Sequence, residues 1–323
     1  MDNVYLIFGG TGSLGTTLVD RLLSESKEVW VFSRDEAKHH KLKIKFPKVN
    51  IIMGDIRDYQ SVFNAIRRVK PDIVINAAAI KQVPAAEDFI WEAVQTNING
   101  AFNLANALES FTEKRIKALS ISTDKVAKPV NSYGMTKALQ ERIHLRAQDN
   151  TIHIHNCVRY GNVLESTGSV IPVFKSQAYN YDNLKVTHPE MTRFLLSLDE
   201  AVDLIFEALE DDTGRKIFIP KIKSAKIKDL AEIIIEEVQL ANDQDHVSQD
   251  MKIEYTGIRP GEKIHEILIS EEEISRTADW RKYYIIFDIK TKADFEYLKE
   301  EYSSGSNLSL MSKLELKEFL KGR

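Results

Sequence analysis

Val4-Tyr5-Leu6-Ile7-Phe8 followed by Gly9-Gly10-Thr11-Gly12-Ser13-Leu14-Gly15 decides the fold. The five apolar residues read as a buried strand, and Leu18, Val19, Leu22 and Leu23 beyond the glycines recur at helical spacing. Strand, glycine turn and helix in that order open a dinucleotide-binding unit. Gly9 permits the tight turn, Gly12 lets a pyrophosphate approach the backbone, and Gly15 lets helix and strand pack closely. The helix start adds free N–H groups and the positive end of its dipole. Gly9, Thr11, Gly12, Ser13, Leu14 and Gly15 are therefore expected to bind cofactor.

The alternation continues downstream. Strand-like runs lie at 28–32, Asn50-Ile51-Ile52-Met53, Ile73-Val74-Ile75-Asn76, Ala118-Leu119-Ser120-Ile121 and 153–160, with helical patterns at 58–69, 88–110 and 133–148. This predicts an α/β chain built as a Rossmann-like doubly wound parallel sheet, whose ligands sit outside the carboxyl ends of the strands. Residues 1–161 are expected to form the cofactor domain and to carry the catalytic residues. Residues 162–323, where the alternation loosens, are expected to form mainly a smaller substrate-binding lobe interleaved with the first domain.

Strand ends supply the next candidates. The second strand ends in Ser33-Arg34-Asp35-Glu36, with Lys38 following. An acid at that place binds the ribose of NAD, whereas an arginine accommodates the 2′-phosphate of NADP. Arg34, with Lys38 and Ser33, favours NADP, although Asp35 and Glu36 can be read either as ribose acids or as first-turn acids of the next helix. Asp55 and Ile56 are candidates for the adenine, Ala77, Ala78 and Ala79 for close backbone approach, and Asn97 for positioning.

Ser122-Thr123-Asp124-Lys125 and Tyr133-Gly134-Met135-Thr136-Lys137 carry the chemistry. Residues four apart share a helix face, so Tyr133 and Lys137 can point at the space that Thr123, Asp124 and Lys125 enter from a strand end. A phenol is a poor base near neutrality, and an adjacent ammonium group is expected to help it accept a proton from a substrate hydroxyl as hydride leaves carbon. Lys125 must be neutral to act as a base. Burial and Lys137 would lower its affinity for a proton, while Asp124 would raise it.

Composition narrows the class. The chain has 323 residues, enough for a large core, and a net charge of −4, which disfavours nucleic acid and anionic membrane as partners. Cys157 is the only cysteine, so no disulfide can form within the chain, and its apolar setting suggests a buried structural thiol. No run of 18 apolar residues and no cleavable signal is evident, which predicts a cytoplasmic protein. The eight histidines lack metal-ligand spacing, so no metal is expected.

The segments GGTGSLG, SRDE, GDIRD, AAAIKQVP, STDKVAKPVNSYGMTK, RYGNV, GSVIP, PEMTRF and GIRPGEKIHE, in that order, resemble the nucleotide-sugar 4,6-dehydratases of the extended short-chain dehydrogenase/reductase superfamily. The likeness is greatest to the C5-inverting UDP-N-acetylglucosamine 4,6-dehydratases that open pathways to bacterial surface sugars such as pseudaminic acid. The resemblance implies a lyase carrying tightly bound NADP through an internal redox cycle. Tyr133, with Lys137 and Thr123, would deprotonate O4 as C4 loses hydride. Lys125 would take the C5 proton, Asp124 would protonate the departing C6 hydroxyl, and hydride would return to C6. It further implies Lys81 beside cofactor and sugar, Asn162 and the 168–172 loop with Val170 near the nucleotide, Arg193 and Arg259 on the diphosphate, and Glu262 near the uridine ribose. A UDP-sugar substrate and a homo-oligomer follow from the same likeness.

Two positions depart from the family pattern. Thr167 replaces an arginine in Ser166-Thr167-Gly168-Ser169, and His188 replaces an aspartate before Pro189. They leave open a C5-retaining or 5,6-ene-forming dehydratase. A 4-epimerase using the same Tyr/Lys chemistry and a non-catalytic NADP sensor are the other readings. Trp280-Arg281-Lys282-Tyr283-Tyr284 and the final helical pattern read as a cap on the lobe or a contact with another subunit.

Overall fold

A computed structural model describes residues 3–164, 169–242, 251–288, 298–306 and 309–321. The first half alternates as β1 (Val4–Phe8), α1 (Ser13–Ser24), β2 (Glu28–Ser33), α2 (Glu36–Lys45), β3 (Asn50–Met53), α3 (Tyr59–Val69) and β4 (Ile73–Asn76). It continues through α4 (Val83–Asp88), α5 (Ile90–Ala93), α6 (Gly100–Glu109), β5 (Lys117–Ile121), α7 (Ser132–Arg146) and β6 (Ile154–Val158). The second half contains β7 (Asn162–Val163), α8 (Val170–Tyr179), β8 (Leu184–Val186), β9 (Thr192–Leu196), α9 (Leu198–Glu210), β10 (Lys216–Pro220), β11 (Ser224–Lys226) and α10 (Ile227–Asn242). It ends with β12 (Ile253–Tyr255), β13 (Ile267–Ile269), α11 (Glu271–Ile274), β14 (Thr277–Trp280), β15 (Tyr283–Phe287), β16 (Tyr302–Ser303) and α12 (Lys313–Lys321).

Among the described residues the main sheet has nine strands in the order β14-β15-β10-β6-β5-β4-β1-β2-β3. The run from β3 to β10 is parallel. Because helices cover both faces, β1 has no solvent face and reads as an uninterrupted apolar run. Ile7 joins Leu18, Leu22, Val202 and Ile205 in the core under α1 and α9. Leu6 and Phe8 join Val62, Ile66, Leu104 and Leu108 under α3 and α6. The chain steps outward from β1 to β3 and then returns to β4 on the other side of β1, which opens a crevice at the strand ends there.

The helix expected over 88–110 is broken. Phe89 leaves helical geometry between α4 and α5, and residues Val94–Asn99 form a π-turn before α6. That turn lets Asn97 reach sideways: its Oδ1 accepts from Ile80 N at 2.9 Å, while Nδ2 donates to Ile80 O at 3.2 Å and to Thr136 Oγ1 at 3.0 Å. A local underwinding of this kind, with i→i+5 pairing, is frequent at functional sites.

The Trp280 segment differs from its reading as a cap. It is the turn of the β14–β15 hairpin, which extends the main sheet antiparallel to β10, with Arg281 in left-handed geometry. A second core, including Phe174, Leu184, Leu230, Ile234 and Leu316, packs α8, β8, α10 and α12 into the lobe. Buried Arg159, which follows β6, ties the halves together. It meets both carboxylate oxygens of Glu141 on α7 at 3.0 and 2.8 Å, both of Glu273 on α11 at 2.8 and 2.9 Å, and the carbonyl of Leu268 on β13 at 2.8 Å. Cys157 is fully buried beside Phe194 and Ile217, in keeping with a structural thiol.

Candidate active site

A cleft of about 1360 Å³ runs along the strand ends. Of the residues expected singly at the site, all but Asn97 and Asp124 line it; from the described part of the 168–172 loop, Ser169 and Val170 do and Ile171 and Pro172 do not. Gly9 and Gly15 show what the turn demands. Gly9 has φ +77°, and a Cβ there would stand 2.7 Å from the Ala78 backbone, while one on Gly15 would stand 2.4 Å from Gly10 Cα. The turn is thus pressed against the Ala77-Ala78-Ala79 segment on one side and packed onto α1 on the other. Thr11, Gly12, Ser13 and Leu14 face the cleft at the N-terminus of α1, where Gly12 offers no capping side chain. The residues fit a dinucleotide, since backbone donors and the helix dipole meet there.

At the adenosine end, Asp35 caps α2 by accepting from Lys38 N at 2.9 Å, and Glu36 lies in the first turn. The acids after Arg34 therefore serve the helix, though Asp35 also borders the cleft. Arg34 is half-exposed and 3.5 Å from Asp55. Burial would raise the Asp55 carboxyl, but Arg57, at 2.6 Å, holds it below its ordinary range. His39 was missed in the sequence: its Nε2 lies 2.7 Å from Ser33 Oγ and fixes that hydroxyl at the strand end.

The catalytic end is built by two caps. Thr123 caps the 3-10 turn Asp124–Val126, and Asn131 caps α7 by accepting from Gly134 N at 2.8 Å. Tyr133 and Lys137 consequently sit in the first turns of α7 and face the cleft. The expected pairing of their charges does not occur. Lys137 Nζ turns to the Ile121 carbonyl at 2.5 Å and to Gln140 Oε1 at 2.6 Å, and burial pulls its pKa down to about 8. Burial pushes the Tyr133 phenol up to about 12, opposed by Lys125 and by a hydrogen bond from Thr123. The cation acting on Tyr133 is thus Lys125, because the Lys137 side chain ends against β5.

Lys125 Nζ lies 2.9 Å from Asp124 Oδ1 and 3.5 Å from Glu266 Oε1. Burial works against its charge and Arg193 opposes it too, but the two acids outweigh both and hold Lys125 as an ammonium above the ordinary lysine range. Of the opposing influences read from the sequence, burial against Asp124, the acids prevail. Asp124 is completely buried behind Thr123 and Lys125, with Thr123 Oγ1 at 3.0 Å from its Oδ1. Burial and Glu266 raise its pKa. Glu266 escaped the sequence reading although GIRPGEKIHE contains it. The available signal was a glutamate directly before the apolar Ile267-Leu268-Ile269 strand.

The substrate end is less uniform. Lys81 lines the cleft, and burial lowers its pKa. Arg193 on β9 is held by the Thr192 and Ile264 carbonyls at 2.7 and 3.1 Å. Arg259 and Glu262 form an ion pair with each other at the cleft edge. Asn162 and Val170 border the same space. Ser166, Thr167 and Gly168 lie outside the described residues. His188 does not line the cleft; its Nδ1 accepts from Glu190 N at 3.2 Å and supports the turn before Thr192.

Known proteins place this geometry. The chain is 39% identical over 299 residues to a UDP-glucose 4-epimerase of Rickettsia massiliae (strain Mtu5), covering 88% of this chain and 83% of that protein. The X-ray structure of Pen from Bacillus thuringiensis superposes with a TM-score of 0.89 at 33% identity, covering 99% of this chain and 97% of that one. DesIV, a dTDP-glucose 4,6-dehydratase of Streptomyces venezuelae determined with NAD and TYD bound, shares the fold at a TM-score of 0.65 and 19% identity, covering 78% of this chain and 88% of that one. A family model described as polysaccharide biosynthesis protein matches residues 5–288. The chain belongs to that polysaccharide biosynthesis family and has a Rossmann-like fold shared with nucleotide-sugar epimerases and a dehydratase of known structure.

Proposed function

We propose that the protein is an NADP-dependent UDP-N-acetylglucosamine 4,6-dehydratase that inverts C5. The observation carrying this reading is the Lys125–Asp124 pair, 2.9 Å apart, with Lys125 beside Tyr133 on the cleft and Asp124 buried behind it. Epimerisation at C4 needs no base at C5 and no acid at C6. When bound, the dinucleotide supplies reversible hydride transfer, held by Gly9, Thr11, Gly12, Ser13, Leu14, Gly15 and the Ala77-Ala78-Ala79 segment, with Arg34, Ser33 and Lys38 on the 2′-phosphate.

Tyr133 takes the O4 proton, assisted by the positive charge of Lys125 and the hydroxyl of Thr123. Transfer of one proton from Lys125 to Asp124 turns an ion pair into an amine and a carboxylic acid, the base and acid that elimination needs. The amine removes the C5 proton. The Asp124 proton reaches the C6 oxygen through the Thr123 hydroxyl, since Asp124 has no direct face on the cleft. The C6–O bond then breaks as the C5=C6 bond forms, and water leaves. Arg193 and Arg259 take the diphosphate of the UDP-sugar, and Glu262 the ribose. Exposed Phe102, Met135 and Leu139 on α6 and α7 support a homo-oligomer.

A 4-epimerase is the second reading, favoured by relatives carrying that name. Proton NMR of the purified protein with UDP-N-acetylglucosamine in heavy water, without added cofactor, separates the two. The expected product has a C6 methyl, deuterium at C5 and the L-arabino 4-keto configuration. Retained configuration or a vinyl signal would mean another dehydratase outcome, and a galacto product would mean epimerase. No conversion of this or other nucleotide sugars would leave an NADP sensor.

A further inference from the structure

Glu266 is a buried carboxylate with no place in the steps above. Its side chain is only 4% exposed, yet it borders the cleft. Oε1 stands 3.5 Å from Lys125 Nζ and 3.7 Å from Arg193 Nε, and Oε2 has no hydrogen-bond partner. A buried acid left half-satisfied is costly unless its charge is used. The groups around Lys125 are Asp124 on its own turn, Tyr133 on α7, Arg193 on β9, and Glu266 and Lys263 on the segment before β13. Of these, Asp124 and Glu266 favour the ammonium, while Arg193 opposes it.

We propose that Glu266 is a positioning residue for the Lys125 proton, its carboxylate supplying the fixed negative charge that makes Lys125 a strong base. This rests on Lys125 as the C5 base. Asp124 can exchange a proton with Lys125, but while it holds that proton it is neutral and cannot favour the ammonium. Glu266 keeps its charge throughout elimination and so stabilises the amine as it gains the C5 proton.

The test reads Lys125 directly. Acetic anhydride labelling followed by peptide mass spectrometry measures the reactivity of Lys125 against pH, with exposed lysines of the same chain as internal standards. In the unmodified protein, Lys125 should keep gaining reactivity at pH values where exposed lysines have levelled off. Glu266→Gln should raise Lys125 reactivity at pH 9.5 at least tenfold, corresponding to a drop of about one pH unit in its midpoint. Glu266→Asp, which keeps the charge, should remain near the unmodified protein. Labelling of Lys125 in the unmodified protein that levels off with the exposed lysines would overturn the proposal, as would equal reactivity in all three proteins or equal gains in both variants. If the protein dehydrates UDP-sugar, the alkaline limb of kcat/KM should fall at lower pH in Glu266→Gln, whereas a loss uniform across pH would mark mere packing. Labelling that behaves as expected without sugar turnover would sink the dehydratase reading alone.

Discussion

Lys137 shows how burial changes the meaning of a side chain. Its pKa of about 8 against an unfolded value near 10.4 means that the unfolded chain binds the extra proton between those limits. Stability therefore rises with pH from about 8 to about 10.4, and the full penalty, on the order of 3 kcal/mol, applies below 8. Lys137→Met should raise the Tm at pH 7 and show a smaller gain at pH 9.5, while abolishing turnover; thermal melts at the two pH values check this. Lys125→Ala should stop water loss while leaving NADP binding intact, and Tyr133→Phe should block hydride removal from C4, each by at least about a hundredfold. Substrate consumption near the unmodified rate would exclude the altered residue from its role. That Tyr133, Lys137 and Lys125 come to one cleft was legible because helix periodicity and a strand end are local facts. The direction of the Lys137 ammonium, the depth of Asp124 and the approach of Glu266 were not, because each depends on backbone far away in sequence.

Elements explain which local ambiguities the fold removes. Asp35 and Glu36 can bind ribose in an isolated reading, but capping gives them another task, because an N-cap oxygen satisfies otherwise unpaired helix donors. Arg34 is left as the charged side chain directly at the end of β2. Arg34→Ala should weaken NADP about 10- to 100-fold and NAD less than about threefold, as measured by calorimetric titration of each; equal losses would favour NAD. The boundaries of β1 and β4 match the apolar runs read from sequence, since strands buried on both faces leave a dense local signal; those of the edge strand β3 match as well, although it is only partly buried. The break at 88–110 left no such signal. Nothing in the residues Phe89 to Asn99 fixes a π-turn until Ile80 and Thr136 are brought beside Asn97.

The whole molecule depends on contacts between its halves. Arg159 neutralises Glu141 and Glu273 in the interior, so removing it leaves Glu141 uncompensated and Glu273 with only the more distant Arg276, at 3.5 Å, and the Ser270 N–H. Arg159→Met should cost about 3–5 kcal/mol by urea unfolding, whereas replacing all three with apolar residues should recover much of that loss. The parallel sheet and its crevice were readable from the order of strands and helices. The hairpin of β14 and β15 was not, because an antiparallel addition at a sheet edge is chosen by its neighbour β10 rather than by its own pattern.

Arg159 also grips Leu268, two residues beyond Glu266, so Glu266 is tied to the end of β6 in the main sheet, beside β5 from which Asp124 and Lys125 follow, and not to α8 or α10. The molecule is therefore modular in a way that evolution or a protein engineer can exploit. On the proposed function, α8, which borders the cleft, can be exchanged to change the choice of nucleotide sugar, while Lys125, Asp124 and Glu266 stay in place.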